Sequence, residues 1–207
     1  TMTLPTPAVY APELTADRLQ PVANWLLDEL QATQDDLVRS TDTAWTKGCT
    51  TFGRQHSRII SEWQSGKHAW LGILDTSKAL VFTIGGVPCR FSNDDPDNPS
   101  KKAVLEVNPH QRAFAEFASS DQPVRFCFVV DRGMDDLADP YVVLHGLSDE
   151  NVVLCRWVSD AASAFRSEMG TQPAAVEVQK TKLAPKQPEK IDESQSQASD
   201  GNAPESL

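Results

Sequence analysis

Two adjacent glycines, Gly85 and Gly86, stand between two β-prone runs, Ala79–Ile84 and Val87–Phe91, and they narrow the folds open to this chain more than any other pair of neighbours. Tight hairpin turns need φ > 0 at their central positions, which glycine adopts without steric cost, so the sequence predicts a hairpin here. Upstream, Ala69–Leu74 reads as a further strand joined across Asp75-Thr76-Ser77-Lys78. Downstream, Ala103–Val107, Val124–Val130, Tyr141–Leu147 and Val152–Val158 have the same short apolar character, and a tight turn at Ser148-Asp149-Glu150-Asn151 joins the last two. Strands that follow one another as hairpins, without alternating helices, favour an antiparallel sheet over a doubly wound parallel one.

Helical periodicity dominates the first third of the chain. From Thr15 onward, Leu19, Val22, Leu26 and Leu30 recur at spacings of three and four beside Trp25, with Pro21 either kinking the helix or marking its first turn. Thr33, followed by Asp35 and Asp36, reads as the start of a second helix that ends at Lys47-Gly48. Phe52, His56, Ile59, Ile60 and Trp63 form one face of a third, with Gly66 as its stop. Later, Asn108-Pro109-His110-Gln111 has the residues of a helix start, Asn at the cap, Pro in the first turn and Gln three residues on. Phe114 and Phe117 are expected to point that helix into a core, and Ser159 to cap a last helix through Phe165.

The expected architecture is therefore α+β: an N-terminal helical lobe (13–66) packed on a mainly antiparallel sheet of six or seven strands (67–169), as one domain over 13–169. Residues 1–12, rich in Pro and Thr, read as a flexible arm. Residues 170–207 read as a disordered tail, because 171–207 hold no aromatic residue, four prolines and many Ser, Gln, Glu and Lys. Such a segment buries too little apolar surface to offset the entropy of ordering.

The 207 residues carry 19 Lys and Arg against 29 Asp and Glu, a net charge of -10. That balance makes direct nucleic-acid or anionic-membrane binding an unlikely class of function. Only residues 51–102 are locally basic, with seven basic against five acidic side chains. No apolar run approaches the ~20 residues that span a bilayer, and the first residues have neither a basic region nor an apolar segment of a signal peptide. The four cysteines, Cys49, Cys89, Cys127 and Cys155, contain no CxxC pair, and Cys127 and Cys155 fall in apolar runs as small hydrophobes. A cytoplasmic location is the expectation.

Candidate chemistry centres on the loop after the glycine hairpin. Asp94, Asp95 and Asp97 lie within four residues, and Glu106 follows, so a hard cation could be held by Asp95, Asp97 and Glu106 with Asp94 beside them. The order Pro96-Asp97 then Glu106-Val107-Asn108 resembles the PD-(D/E)XK nucleases, in which an Asp and an acidic residue bind metal and a Lys activates water. Here Asn108 stands at the Lys position, and one strand lies where that core uses a hairpin, so membership is not assigned. The simpler reading of the three aspartates is a solvated, turn-forming loop.

Cys89 and His110 would need mutual contact and an orienting group to act as a nucleophile pair, and Cys89 reads instead as a packing residue. The four histidines show no HxH or HxxxH pair, and His56 and His145 read as core or semi-buried. No Walker, GxGxxG, GxSxG or HExxH motif occurs. Arg54, Arg58 and Arg90 could form a small anion patch, although pairing with nearby carboxylates competes. Trp25, Trp63, Trp70 and Trp157 are expected in the core, whereas Trp45 lacks an obvious core partner and can anchor another protein. The resulting expectation is a non-enzymatic acidic protein acting through protein–protein contacts as an adaptor, regulator or inhibitor, with charge mimicry of nucleic acid as one form. It needs no cofactor, and its partner is another protein. The alternative is a metal-dependent hydrolase or nuclease using the loop carboxylates.

Overall fold

A computed structural model describes residues 4–116, 119, 121–133 and 139–160. The sheet has six strands in chain order: β1 (Leu71–Asp75), β2 (Val81–Ile84), β3 (Val87–Asn93), β4 (Arg125–Asp131), β5 (Tyr141–Leu147) and β6 (Val153–Val158). Every neighbouring pair is antiparallel except β3 and β4, which run parallel. The Gly85-Gly86 hairpin is present, with φ of 58° and 88° at the two glycines. Pro88 fits β3 because the ladder to β4 begins one residue later, at Cys89↔Phe126.

Two long helices cover one face of the sheet, α1 (Ala16–Asp36) and α2 (Ala44–Gln64). Leu19, Val22, Leu26 and Leu30 of α1 are all at most 2% exposed and join Phe82, Phe126, Phe128 and Leu144 of the sheet in the main core. Full burial of each such aliphatic side chain contributes about 1.5–3 kcal/mol, which explains how α1 tolerates Pro21 in its second turn. The helix expected to start at Thr33 does not exist. Thr33 is buried inside α1, and its hydroxyl donates to the Glu29 carbonyl at 2.7 Å. Asp36 therefore lies at the negative end of a helix, and Arg54 of α2 neutralises it at 2.8 Å.

Nor does α2 break at Gly48. It starts at the Thr43 cap, whose hydroxyl accepts from the Thr46 N–H at 3.2 Å, and runs on through the glycine. Gly66 ends this region with φ of 67°, as the sequence predicts.

The link from β3 to β4 crosses the opposite face of the sheet. It carries two short helices, α3 (Lys102–Leu105) and α4 (Pro109–Phe114). Ala103–Val107 is thus not a strand: β3 pairs directly with β4, so no slot is open between them. Val104 instead packs with Cys127, Val129 and Leu147 in a second, smaller core. The Asn108 capping box of α4 forms as expected. Phe114 does not enter a core, being 48% exposed, and buried Gln111 donates to the Phe126 carbonyl in its place. Phe117, the helix expected through Phe165 and the tail at 170–207 lie outside the described residues. Ser159 is described, and its hydroxyl accepts from the Val142 N–H.

The N-terminal segment is docked where a flexible arm was expected. Pro7 is buried in a 3-10 turn, Pro7–Val9, Ala11 is 5% exposed, and the Pro5 carbonyl accepts from Arg156 N–H of β6. This contact covers part of a sheet edge that would otherwise present unpaired main-chain groups. Of the tryptophans expected inside, Trp25 is buried and stacks on Trp70 at 6.2 Å, Trp157 packs against the core, and Trp63 is 41% exposed.

Arg125 is the largest fully buried side chain, at 1% exposure. Its Nε donates to the Val104 carbonyl at 2.8 Å, Nη1 to the Ser148 carbonyl at 3.0 Å, and Nη2 to Asn151 Oδ1. One guanidinium thereby fastens the crossover and the β5–β6 turn to β4. Arg125→Lys keeps the charge but lacks the planar fork. It is expected to cost about 2 kcal/mol or more, given the carbonyls left without donors. An unchanged urea midpoint would show that the fork does not hold these segments.

Candidate functional site

The carboxylates proposed for a metal are engaged separately. Burial works to raise the Asp94 carboxyl, but main-chain N–H groups of Lys101, Ser100 and Asp95 and the Ser100 hydroxyl outweigh it and hold the carboxyl below its usual range. Asp95 accepts from the Asp97 N–H at 2.8 Å, and Asp97 pairs with Arg156 at 3.4 Å. Glu106, at the end of α3, pairs with Lys102 at 3.3 Å. Among the described residues, no group of three or more His, Cys, Asp or Glu side chains assembles as a metal site. The loop is organised as a folded turn system, strapped to the sheet where Pro96 and Asp97 meet β5 and β6.

The arginines that could have formed one patch are dispersed, and two of them pair with carboxylates, the reading favoured for them. Arg54 pairs with Asp36, and Arg58 with Glu29 at 3.5 Å and Glu62 at 2.9 Å, all within the α1–α2 layer. Arg90 alternates with the core residues Cys89 and Phe91 along β3, so it projects from the opposite face, where Nε donates to the Ala79 carbonyl at 3.3 Å. Cys89 is fully buried, and burial pushes its thiol well above its ordinary value. His110 is exposed at the start of α4.

Trp45 is different. It stands 76% exposed on the first turn of α2, at the rim of a groove of about 440 Å³. Trp45, Gly48, Cys49 and Phe52 of α2 form one wall, and Phe91, Ser92 and Asn93 at the end of β3 form the floor. Lys101 and Ala103 from the crossover and Arg132 just after β4 close it. Phe52 and Phe91 stack at 5.1 Å. The Arg132 guanidinium lies over Gly48, 3.5 Å from where a Cβ would stand. Burial, then repulsion from Arg132, lowers the Lys101 ammonium pKa, partly offset by Asp94, and Nζ rests on the Asn93 carbonyl.

Asn93 anchors this floor. Gln55 Nε2 donates to the Leu26 carbonyl at 2.8 Å, so Gln55 Oε1 faces Asn93 and accepts from Asn93 Nδ2 at 2.7 Å. That chain fixes both amides and leaves Asn93 Oδ1 as a buried acceptor without a donor. Sequence reasoning singled out Trp45 but missed Phe91, Asn93, Lys101 and Arg132 as a group. The excess of basic residues in 51–102 was the only signal, and it could not pair Lys101 with a residue after β4.

A larger cavity of about 540 Å³ lies between α4 and the β5–β6 turn. Its lining sets Arg112 against Glu116, Asp149 and Glu150 and holds no aromatic ring among the described residues. The Trp45 groove, with one sign of charge among its described residues and aromatic walls, is the more specific surface. Comparison of the chain with family models, with curated proteins and with solved structures gives no match in any of the three.

Two predictions follow from burial. Cys49 is the one exposed thiol of the four cysteines, whereas burial pushes Cys127 up to about 12 and Cys155 up to about 11. Iodoacetamide at neutral pH is expected to label Cys49 alone in the folded protein and all four cysteines after unfolding, as read by peptide mass mapping. Early labelling of Cys89 would contradict the packing described.

His145 of β5 is 2% exposed and donates Nε2–H to the Pro96 carbonyl at 3.0 Å, which leaves Nδ1 buried without a partner. Burial lowers its pKa from 6.5; Arg156 acts in the same direction, while the Pro96 bond and Asp97 oppose it. Neutral His145 therefore contributes its full stability above about pH 6.5 and loses it as pH falls towards the lower folded value. His145→Gln is expected to flatten the fall in urea midpoint that sets in as pH drops below about 6.5. Parallel pH profiles for the two proteins would rule His145 out as the source.

Proposed function

We propose that this protein acts by binding another protein, without catalysis, and that the partner engages the groove headed by Trp45. The observation that carries this reading is a tryptophan 76% exposed on a well-anchored helix, contiguous with the stacked Phe52 and Phe91 rings and with two cations. Tryptophan and arginine dominate interface hot spots because they combine a large contact area with directed polar bonds. The wall that presents them is held by buried amide hydrogen bonds between α1, α2 and β3, so little ordering entropy remains to be lost on association.

The acidic balance supports a protein partner over a nucleic acid. Four free cysteines, three of them buried, support a reducing, cytoplasmic setting. Among the described residues, no helix is long and apolar enough to cross a membrane.

Cys49 supplies the test, since it lies in the groove wall. The protein carrying a maleimide-linked benzophenone on Cys49 is irradiated in extract of its own host. A discrete protein adduct is expected, and its yield should fall about tenfold or more in Trp45→Ala while thermal unfolding stays the same. Equal adduct yield in the variant, or no protein adduct, would overturn the reading.

A further inference from the structure

We propose that the groove receives the free C-terminal end of the partner polypeptide, its terminal carboxylate between Lys101 and Arg132 and a bulky apolar last side chain against Phe52, Phe91 and Trp45. The inference rests on the groove being the binding surface and goes on to fix the chemistry of its occupant.

Charge complementarity comes first. Among the described residues, Lys101 and Arg132 are the only charged side chains lining the aromatic cavity, and neither is ion-paired. Two cations that repel one another at the open rim of an aromatic groove favour an anion seated between them, and a carboxylate matches the fork of an arginine. The aromatic wall then requires an apolar group attached to that anion. Trp45 extends this wall outside the cavity, so the occupant continues past the rim, as a polypeptide does and a small acid does not.

What lies beyond the cations selects a chain end over an internal acidic residue. An adjoining cavity of about 380 Å³ shares Asn93, Lys101 and Arg132, and its other charged lining residues are Asp94, Asp95 and Asp131. A chain carrying its anion internally would continue from the cations into this carboxylate-lined stretch, where further acidic side chains and carbonyl groups meet like charge. A chain that terminates at Lys101 and Arg132 places nothing there.

The experiment uses the full chain and an array of short random peptides, each presented with a free C-terminal carboxylate, as the C-terminal carboxamide, and extended by Gly-Ser. The protein is expected to select free-acid peptides ending in aromatic or branched aliphatic residues. Binding should drop by about tenfold or more for the amide and for the extended form, since a charge-assisted contact is lost. Arg132→Gln should remove the preference for the acid. Equal binding of acid and amide, equal binding of the extended peptides, or no binder in the array would overturn the inference. Failure here beside a Trp45-dependent Cys49 adduct leaves the groove as the binding surface and removes only the chain end. Loss of that adduct removes both.

Discussion

The parallel pairing of β3 with β4 is the constraint from which the rest of the molecule follows. The ladder from Cys89↔Phe126 to Asn93↔Val130 brings the ends of both strands out on the same side, where the Asp94 N–H still reaches the Val130 carbonyl at 3.2 Å. Parallel neighbours cannot be joined by a tight turn, so the chain must cross a whole face of the sheet between them. The crossover supplies Lys101 beside the end of β3, and the chain leaving β4 supplies Arg132. A cleft outside the carboxyl ends of parallel strands is where open α/β sheets place their ligands. One parallel pair in an otherwise antiparallel meander is enough to make such a cleft.

Polar contacts then give this cleft a defined shape. The ion pairs between α1 and α2 are partly exposed, and pairs of that kind each contribute only about 0–1 kcal/mol. The apolar stripe of α1 supplies the burial, but an apolar stripe alone tolerates sliding. The Leu26–Gln55–Asn93 amide chain does not, because each misplaced buried donor or acceptor costs about 1–3 kcal/mol. It fixes the register of α2 against β3, and with it the positions of Trp45, Gly48 and Phe52. Asn93 Oδ1, left without a donor, is the polar cost of placing an amide at this corner.

Local features were legible in the sequence wherever local chemistry decided them. Gly85 and Gly86 encode the hairpin through backbone sterics, Asn108 and Gln111 encode a cap through side chains three residues apart, and the β-prone runs match all six strands to within two residues at each end. The errors have a common cause. Thr33 and Gly48 look like helix boundaries by propensity, yet burial of Thr33 and packing on Ile59 and Phe52 carry both helices through. Ala103–Val107 has strand composition, but the direct β3–β4 ladder leaves it nowhere to pair. The groove was least legible, since it joins residues from α2, β3, the crossover and the end of β4. Only Trp45 stood out, because an unpartnered tryptophan is conspicuous without any tertiary information.

A net charge of -10 and a cationic groove are compatible because of how the nearest acid is used. Asp94 lies next to Asn93, and its negative charge favours the Lys101 ammonium without forming an ion pair with it among the described residues. Its oxygens accept from N–H groups of residues 95, 100 and 101, which hold the ionised carboxylate in the turn. Acidic side chains farther away act through solvent, where a screening length of about 8 Å at physiological ionic strength weakens them. Lys101 and Arg132 are close enough to repel one another although both reach solvent. The aspartate loop, read as turn-forming with a metal site as the alternative, shapes the turn that presents Lys101.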